Sequence, residues 1–154
     1  MSIMAVSLPS CAQDNASSPT IPPSSLVTAA DVGAADRVLV IGRNVIEQVV
    51  ALAHAGCRAV SSLRAESSYP RDEQVDVLWL TGIGDVSGKI ATALNRESVP
   101  RIVVVEDCSA EADGRLKAVY GQLRAGGFIR FTAHRTGQGV ALVATRPAWL
   151  RQVA

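Results

Sequence analysis

Leu123-Arg124-Ala125-Gly126-Gly127-Phe128-Ile129-Arg130-Phe131-Thr132-Ala133, followed after a short link by Val140-Ala141-Leu142-Val143-Ala144-Thr145, decides the fold. Both apolar runs, Phe128 to Ala133 and Val140 to Thr145, read as strands. The link between them, from His134 to Gly139, carries Gly137 and Gly139 and has no room for a helix. Strands joined that tightly are antiparallel, because a parallel return needs a crossover of a dozen residues or more. The Gly126-Gly127 pair makes the turn before the hairpin. It ends a helix whose apolar stripe is Leu116, Val119, Tyr120 and Leu123, with Ser109 as its candidate cap.

Upstream the pattern is different: strands alternate with helices. Arg37-Val38-Leu39-Val40-Ile41-Gly42 is a nearly wholly apolar run ending in Gly, the mark of a buried parallel strand and its turn. Ile46, Val49, Val50 and Ala53 recur at helical spacing, and Gly56 stops that helix. Arg58 to Leu63 is a second, weaker strand, so the first unit is a βαβ whose crossover is right-handed. Residues 64–74 are polar, include Pro70 and read as a loop. Val75 to Leu80 is the next strand and Thr81 to Gly84 its turn. Asp85 caps a helix with Val86, Ile90 and Leu94 on its apolar face. Pro100 precedes a further strand, Arg101 to Val105. The expectation is an α/β fold: a doubly wound, mostly parallel sheet of about six strands ending in an antiparallel hairpin.

Composition agrees. Of 154 residues, 48% are apolar and 4% aromatic, so the core is aliphatic, as in parallel sheets covered by helices. The net charge of +1 gives no basic face for a nucleic acid partner. No apolar run approaches the ~18 residues that a membrane span needs. Cys11, Cys57 and Cys108 are odd in number and lack CxxC spacing, which argues against a disulfide framework or a metal site and fits a reducing cytoplasm. Leu8-Pro9-Ser10-Cys11 is lipobox-like, but neither a basic region nor a long apolar stretch precedes it. Residues 1–33 are rich in Ser, Ala and Pro and read as a disordered or loosely attached tail, with docking on the domain or on a second subunit as the alternative. The domain is expected over residues 34–154.

In its layout this chain resembles the class I, Rossmann-like S-adenosylmethionine-dependent methyltransferases. The resemblance covers roughly residues 36–147 and is carried by Arg37 to Gly56, which is similar to the family's first strand, loop and helix, and by Leu123 to Phe128, which is similar to its Gly-Gly turn before a terminal antiparallel pair. The chain is short for the family. The stretch between Leu63 and Asp76 leaves no room for the usual second helix and third strand.

In such folds the ligand lies at the carboxyl ends of the strands, over the first turn. The resemblance implies an acidic residue and then Gly-x-Gly-x-Gly there. This chain has Gly42-Arg43-Asn44-Val45-Ile46, with one glycine and two β-branched residues that resist positive φ. Gly42, Arg43 and Asn44 are the candidate cofactor contacts, with Gly42 as a plain strand-to-helix turn the competing reading. The resemblance also implies a carboxylate after the second strand to hold the ribose, where this chain has Ser62, Leu63 and Arg64. Arg64 is either a contact for the 2′-phosphate of a dinucleotide or a solvated side chain.

Thr81-Gly82-Ile83-Gly84-Asp85-Val86-Ser87-Gly88-Lys89 is the most glycine-dense stretch. It fails the P-loop pattern, because Ile83 stands where a Gly and Ile90 where a Ser or Thr is needed. Its backbone N–H groups still open a helix at the cleft, so Gly82, Gly84 and Asp85 are candidates for a small polar ligand or anion. Glu106-Asp107 is either an acid and base pair or a helix-capping pair. His134 falls in or beside the hairpin link, His54 suits the end of a helix, Trp79 reads as core, and Trp149 as a seal for the core or an interface.

No catalytic residue emerges. The eroded first loop favours a non-catalytic, methyltransferase-like partner, regulator or subunit, with a homodimer as one form. The alternatives are an active S-adenosylmethionine-dependent methyltransferase and a small nucleotide- or anion-binding module.

Overall fold

Val38, Leu39, Val40 and Ile41 have no polar face among them, and all four are buried. A strand that hides both faces needs helices on both sides of its sheet. The computed structural model of the chain describes residues 20–43, 45–67, 74–96, 98–107, 109, 112–137 and 139–147. In it these four residues lie in β1 (Arg37–Gly42), inside a six-stranded sheet.

The chain runs through α1 (Pro23–Ala29), β1, α2 (Ile46–His54), β2 (Ala59–Leu63), β3 (Val77–Thr81), α3 (Val86–Leu94), β4 (Ile102–Asp107), α4 (Ala112–Ala125), β5 (Arg130–Thr136) and β6 (Gly139–Thr145). The strand order is β2-β1-β3-β4-β6-β5. β2, β1, β3 and β4 are parallel, whereas β6 runs antiparallel to both β4 and β5. This is the doubly wound, mostly parallel sheet closed by an antiparallel hairpin that the sequence predicts.

Alternate residues of each strand point to opposite faces. Val38, Val40, Trp79 and Val104 face α1 and α2, while Leu39, Ile41, Leu80 and Val105 face α3 and α4. Phe128, after the Gly-Gly turn, closes the second face. None of the described residues between Leu63 and Val77 is helical or in a strand, and β2 is left as an edge. Its Ala59, Ser61 and Ser62 are exposed.

Three expectations need correction. Residues 20–33 are not a loose tail: Leu26 and Val27 of α1 and its cap residue Ala30 are buried in one cluster with Trp79, Val104 and Ala141. Pro23 sits at the first helical position, where its missing N–H is no loss and its fixed φ is already helical. Just before it, the Ile21 N–H donates to the Arg135 carbonyl at 2.8 Å, tying the segment to β5. Residues 1–19 lie outside the described residues.

The inward face of α2 is not Ile46, Val49, Val50 and Ala53. Gln48, Ala51 and Leu52 point inward, Val49 is half-buried, and Ile46 and Val50 are 74% and 45% exposed. Several helical stripes of this segment are apolar, and a polar partner inside the core selects the one that carries Gln48. The hairpin is also tighter than expected. β5 runs to Thr136, which pairs with Gly139, so His134 lies inside a strand. A two-residue connection suits the twist of paired strands, and Gly139 takes φ 120°.

Candidate functional site

The direction of winding reverses between β1 and β3, and ligands of open α/β sheets bind at that switch point, outside the carboxyl ends of the strands. Here Gly42 pairs with Thr81 at the ends of the two strands. A Cβ on Gly42 would overlap the Thr81 carbonyl oxygen, and its φ of 148° is one that other residues rarely adopt. The glycine is therefore explained by the approach of β1 to β3.

The Arg43 N–H, the first after the strand, donates to the same Thr81 carbonyl at 3.2 Å. The exposed Arg43 lies beside Gly82. Lys89 of α3 donates through Nζ to the Ser67 carbonyl, beyond β2. This bond ties the segment after β2 to α3. At the start of α2, Val45 offers no side-chain cap, Ile46 is exposed, and Glu47 sets a carboxylate in the first turn, where an anionic ligand would need the free N–H groups. Arg64 is exposed just past β2, and the first carboxylate after it is the exposed Glu66. Asn44 lies outside the described residues.

These described residues do not fit S-adenosylmethionine in the family's usual manner. The Arg43 N–H is already bonded, and Ser62, Leu63 and Arg64 supply no carboxylate for a ribose.

Gly82 and Gly84 are exposed after β3, and Gly82 takes φ 62°. Asp85 is the cap of α3: its Oδ1 accepts the Gly88 N–H at 3.1 Å. A carboxylate thus already occupies the helix N-terminus, where an added anion would meet like charge. A cleft of about 380 Å³ opens between Gly84 to Ser87 and α4, with Arg115 at its wall.

The Glu106-Asp107 pair divides between the two faces of the sheet, as successive strand residues must. Asp107 faces α4. Its Oδ1 accepts the Ser109 N–H at 2.8 Å and its Oδ2 lies 3.9 Å from Arg115. Glu106 turns toward α1 and α2 and is 3% exposed. Its Oε1 accepts from the Trp79 indole Nε1–H at 2.6 Å and from Gln48 Nε2 at 3.3 Å, and its Oε2 from the Thr136 hydroxyl at 3.3 Å. Burial pushes the Glu106 carboxyl up from its ordinary range, these three bonds pull it down, and nearby Glu47 pushes it further up. Glu106 lies at a cavity of about 270 Å³ between the start of α1 and the β5–β6 hairpin.

His134 shares the face and the register row of Glu106, with Ala141 between them. Its Nε2 is 3.0 Å from Thr132 Oγ1, and partial burial lowers its pKa. Among the described residues no group of three or more His, Cys, Asp or Glu comes together to hold a metal. No helix among them is long and apolar enough to cross a membrane.

The structure thus separates the sequence candidates. Gly42, Arg43, Gly82 and the Thr81 carbonyl meet at the switch point, Arg64 stands apart, and Asp85 serves α3. Sequence reasoning missed Gln48 and the role of Thr136, and it assigned Trp79 to packing alone. A Gln within an apolar helix and a Glu ending an apolar strand were the available signals.

No protein-family model and no curated protein matches this sequence. Solved structures do. One is a dimethyladenosine transferase from Plasmodium falciparum, 14% identical, covering 89% of this chain and 66% of that one with a TM-score of 0.50. This chain therefore spans just under two thirds of that structure's length. Another is a methyltransferase described as a possible histamine N-methyltransferase from Thermotoga maritima, 14% identical over 82% of this chain and 88% of that one, TM-score 0.48. A third is a release-factor-specific protein-(glutamine-N5) methyltransferase from Alicyclobacillus acidocaldarius, 16% identical over 82% and 93%, TM-score 0.46. The strand order, the reversed β6 and the likeness to the first of these structures together show that the chain has a class I methyltransferase-like fold.

Proposed function

We propose that this chain is a non-catalytic methyltransferase-like domain that serves as a partner, regulator or subunit of another protein. The observation that carries this reading is the bond from the Arg43 N–H to the Thr81 carbonyl, reached because Gly42 lets β1 close on β3. A nucleoside cofactor binds by pressing against free main chain at that turn, and here the Arg43 N–H is already bonded to β3.

The test is calorimetry with S-adenosylmethionine and S-adenosylhomocysteine, together with thermal unfolding. A ligand that binds only the folded state raises its stability in proportion to occupancy. The expected result is no heat and no shift in Tm. Micromolar binding of either compound would overturn the reading and favour an active methyltransferase.

The cleft beside Arg115 favours a second reading, a module for a small nucleotide or anion. Asp85 at the N-terminus of α3 opposes it. Stabilisation by ATP or inorganic phosphate, lost in R115A, would establish it.

A homodimer is one form of the partnership. The edge β2 presents exposed small residues, and Ile46 and Val50 stand exposed one turn apart on α2. Sedimentation velocity tests this directly.

A further inference from the structure

We propose that the outer face of α2 is the contact of a two-fold symmetric dimer, in which α2 of one copy lies antiparallel on α2 of the other with Val50 at the axis. This deepens the partner reading above and rests on it: the occupant is a second copy of this chain, and the surface is α2.

The outer face of α2 is apolar. The helix turns Gln48, Ala51 and Leu52 toward the sheet. Ile46, Val50 and Ala53 fall on the opposite side, at the i, i+4, i+7 spacing of a single stripe, and all three are exposed, Ile46 by 74%. A helix packed on a sheet ordinarily turns polar side chains outward. The neighbouring α1 adds no charge: its exposed residues are Ser24, Ser25, Thr28 and Ala29. The layer on the other side of the sheet differs, since α3 and α4 carry Lys89, Asp113, Arg115, Lys117 and Arg124. Depletion of charge is the compositional mark of the centre of an interface.

The pattern on α2 is complementary to itself. Val50 is the middle residue of the helix. Glu47 stands three residues before it and His54 four after, and both are exposed. Seven residues are about two turns, so the acid and the base share one flank of the apolar stripe. A two-fold axis at Val50 that sets the helices antiparallel brings that flank onto the same flank of the second copy. Glu47 then meets His54 of the partner subunit at nearly the same level, and the pair occurs twice. An imidazole N–H donates to a carboxylate whether the ring is neutral or charged. The same operation sets Ile46 over the small Ala53 of the partner subunit, and it places the opposite dipole ends of the two helices side by side. An acid and a base at matching distances from the centre of one apolar stripe fit a second copy of the same stripe.

The test is sedimentation velocity of the full chain over a range of concentrations, with crosslinking as the readout of geometry. The expected result is a concentration-dependent dimer. Val50→Lys sets two ammonium groups against each other at the axis and should weaken dimerisation at least about tenfold. Val50 is already 45% exposed, so V50K should fold, which circular dichroism checks. Glu47→Lys should weaken the dimer as well. The double variant E47K/H54E exchanges the charges and should restore an affinity within about threefold of the wild type. Mild oxidation of V50C should give a covalent dimer that the wild type does not form under the same conditions, whereas S61C at the edge of β2 should give none. A dimer indifferent to V50K, or no recovery in E47K/H54E, would overturn the proposal. Crosslinking through S61C in place of V50C would overturn it by putting the edge of β2 at the axis. A wild-type chain that stays monomeric at every concentration would overturn it too, while the non-catalytic reading would still be decided separately, by calorimetry with S-adenosylmethionine.

Discussion

Replacing Glu106 by Gln tests the buried cluster by its effect on stability alone. Burial raises the folded-state pKa of this carboxyl above that of the unfolded chain, so folding favours its neutral form. Its stabilising contribution is complete at a pH below the unfolded carboxylate range. It is lost as pH rises through the folded value, with a slope of at most about 1.4 kcal/mol per pH unit for one proton. Other carboxylates titrate in both proteins, so the quantity to read is the stability of E106Q minus that of the wild type. Urea unfolding followed from about pH 4, the ordinary carboxylate range, upward should show this difference rising with pH until Glu106 has ionised in the folded chain. The amide keeps an acceptor for the Trp79 N–H, so E106Q should fold. Glu106→Ala should not share this behaviour. It strands the indole N–H, the Gln48 amide and the Thr136 hydroxyl, and each orphaned buried donor costs about 1–3 kcal/mol. Compounded, a loss of about 3–5 kcal/mol is expected for E106A. A difference between E106Q and wild type that stays flat or falls with pH would refute the reasoning, because the fold would then favour the ion.

Gly42→Ala should destabilise by about 2–4 kcal/mol in urea unfolding, since the Cβ meets the Thr81 carbonyl and the residue is held at positive φ. Asp85→Ala removes the cap of α3 and should cost about 1 kcal/mol in the same assay. Trp79→Phe keeps the ring in the core but removes the donor to Glu106. It should destabilise by about 1.5–3 kcal/mol, and more at pH 8 than at pH 5, because the hydrogen bond matters most when the carboxylate is charged.

Much of the fold is legible in the residues because local rules act on long, regular segments. The unbroken apolar runs of β1, β3 and β4 can only be strands covered on both faces. The Gly-Gly turn and the short link after Phe131 leave no alternative to an antiparallel pair. Asp85 before Val86 reads correctly as a cap. α1 was not legible: seven residues among Ser and Pro look like a tail until Leu26 and Val27 find the sheet. The inward face of α2 was not legible either, because Ile46, Val49 and Val50 make as good a stripe as the one that is used.

By itself the sequence determined the order of the elements, the reversed end of the sheet and the poverty of the first loop in glycine. Only the tertiary structure decided that Gly42 serves β3, and that Glu106, Trp79, Gln48 and Thr136 meet although they are far apart in the chain. The reason is one of range. Periodicity and turn chemistry act between near neighbours, while the partner of a buried polar group is chosen by the packing of elements that the sequence separates.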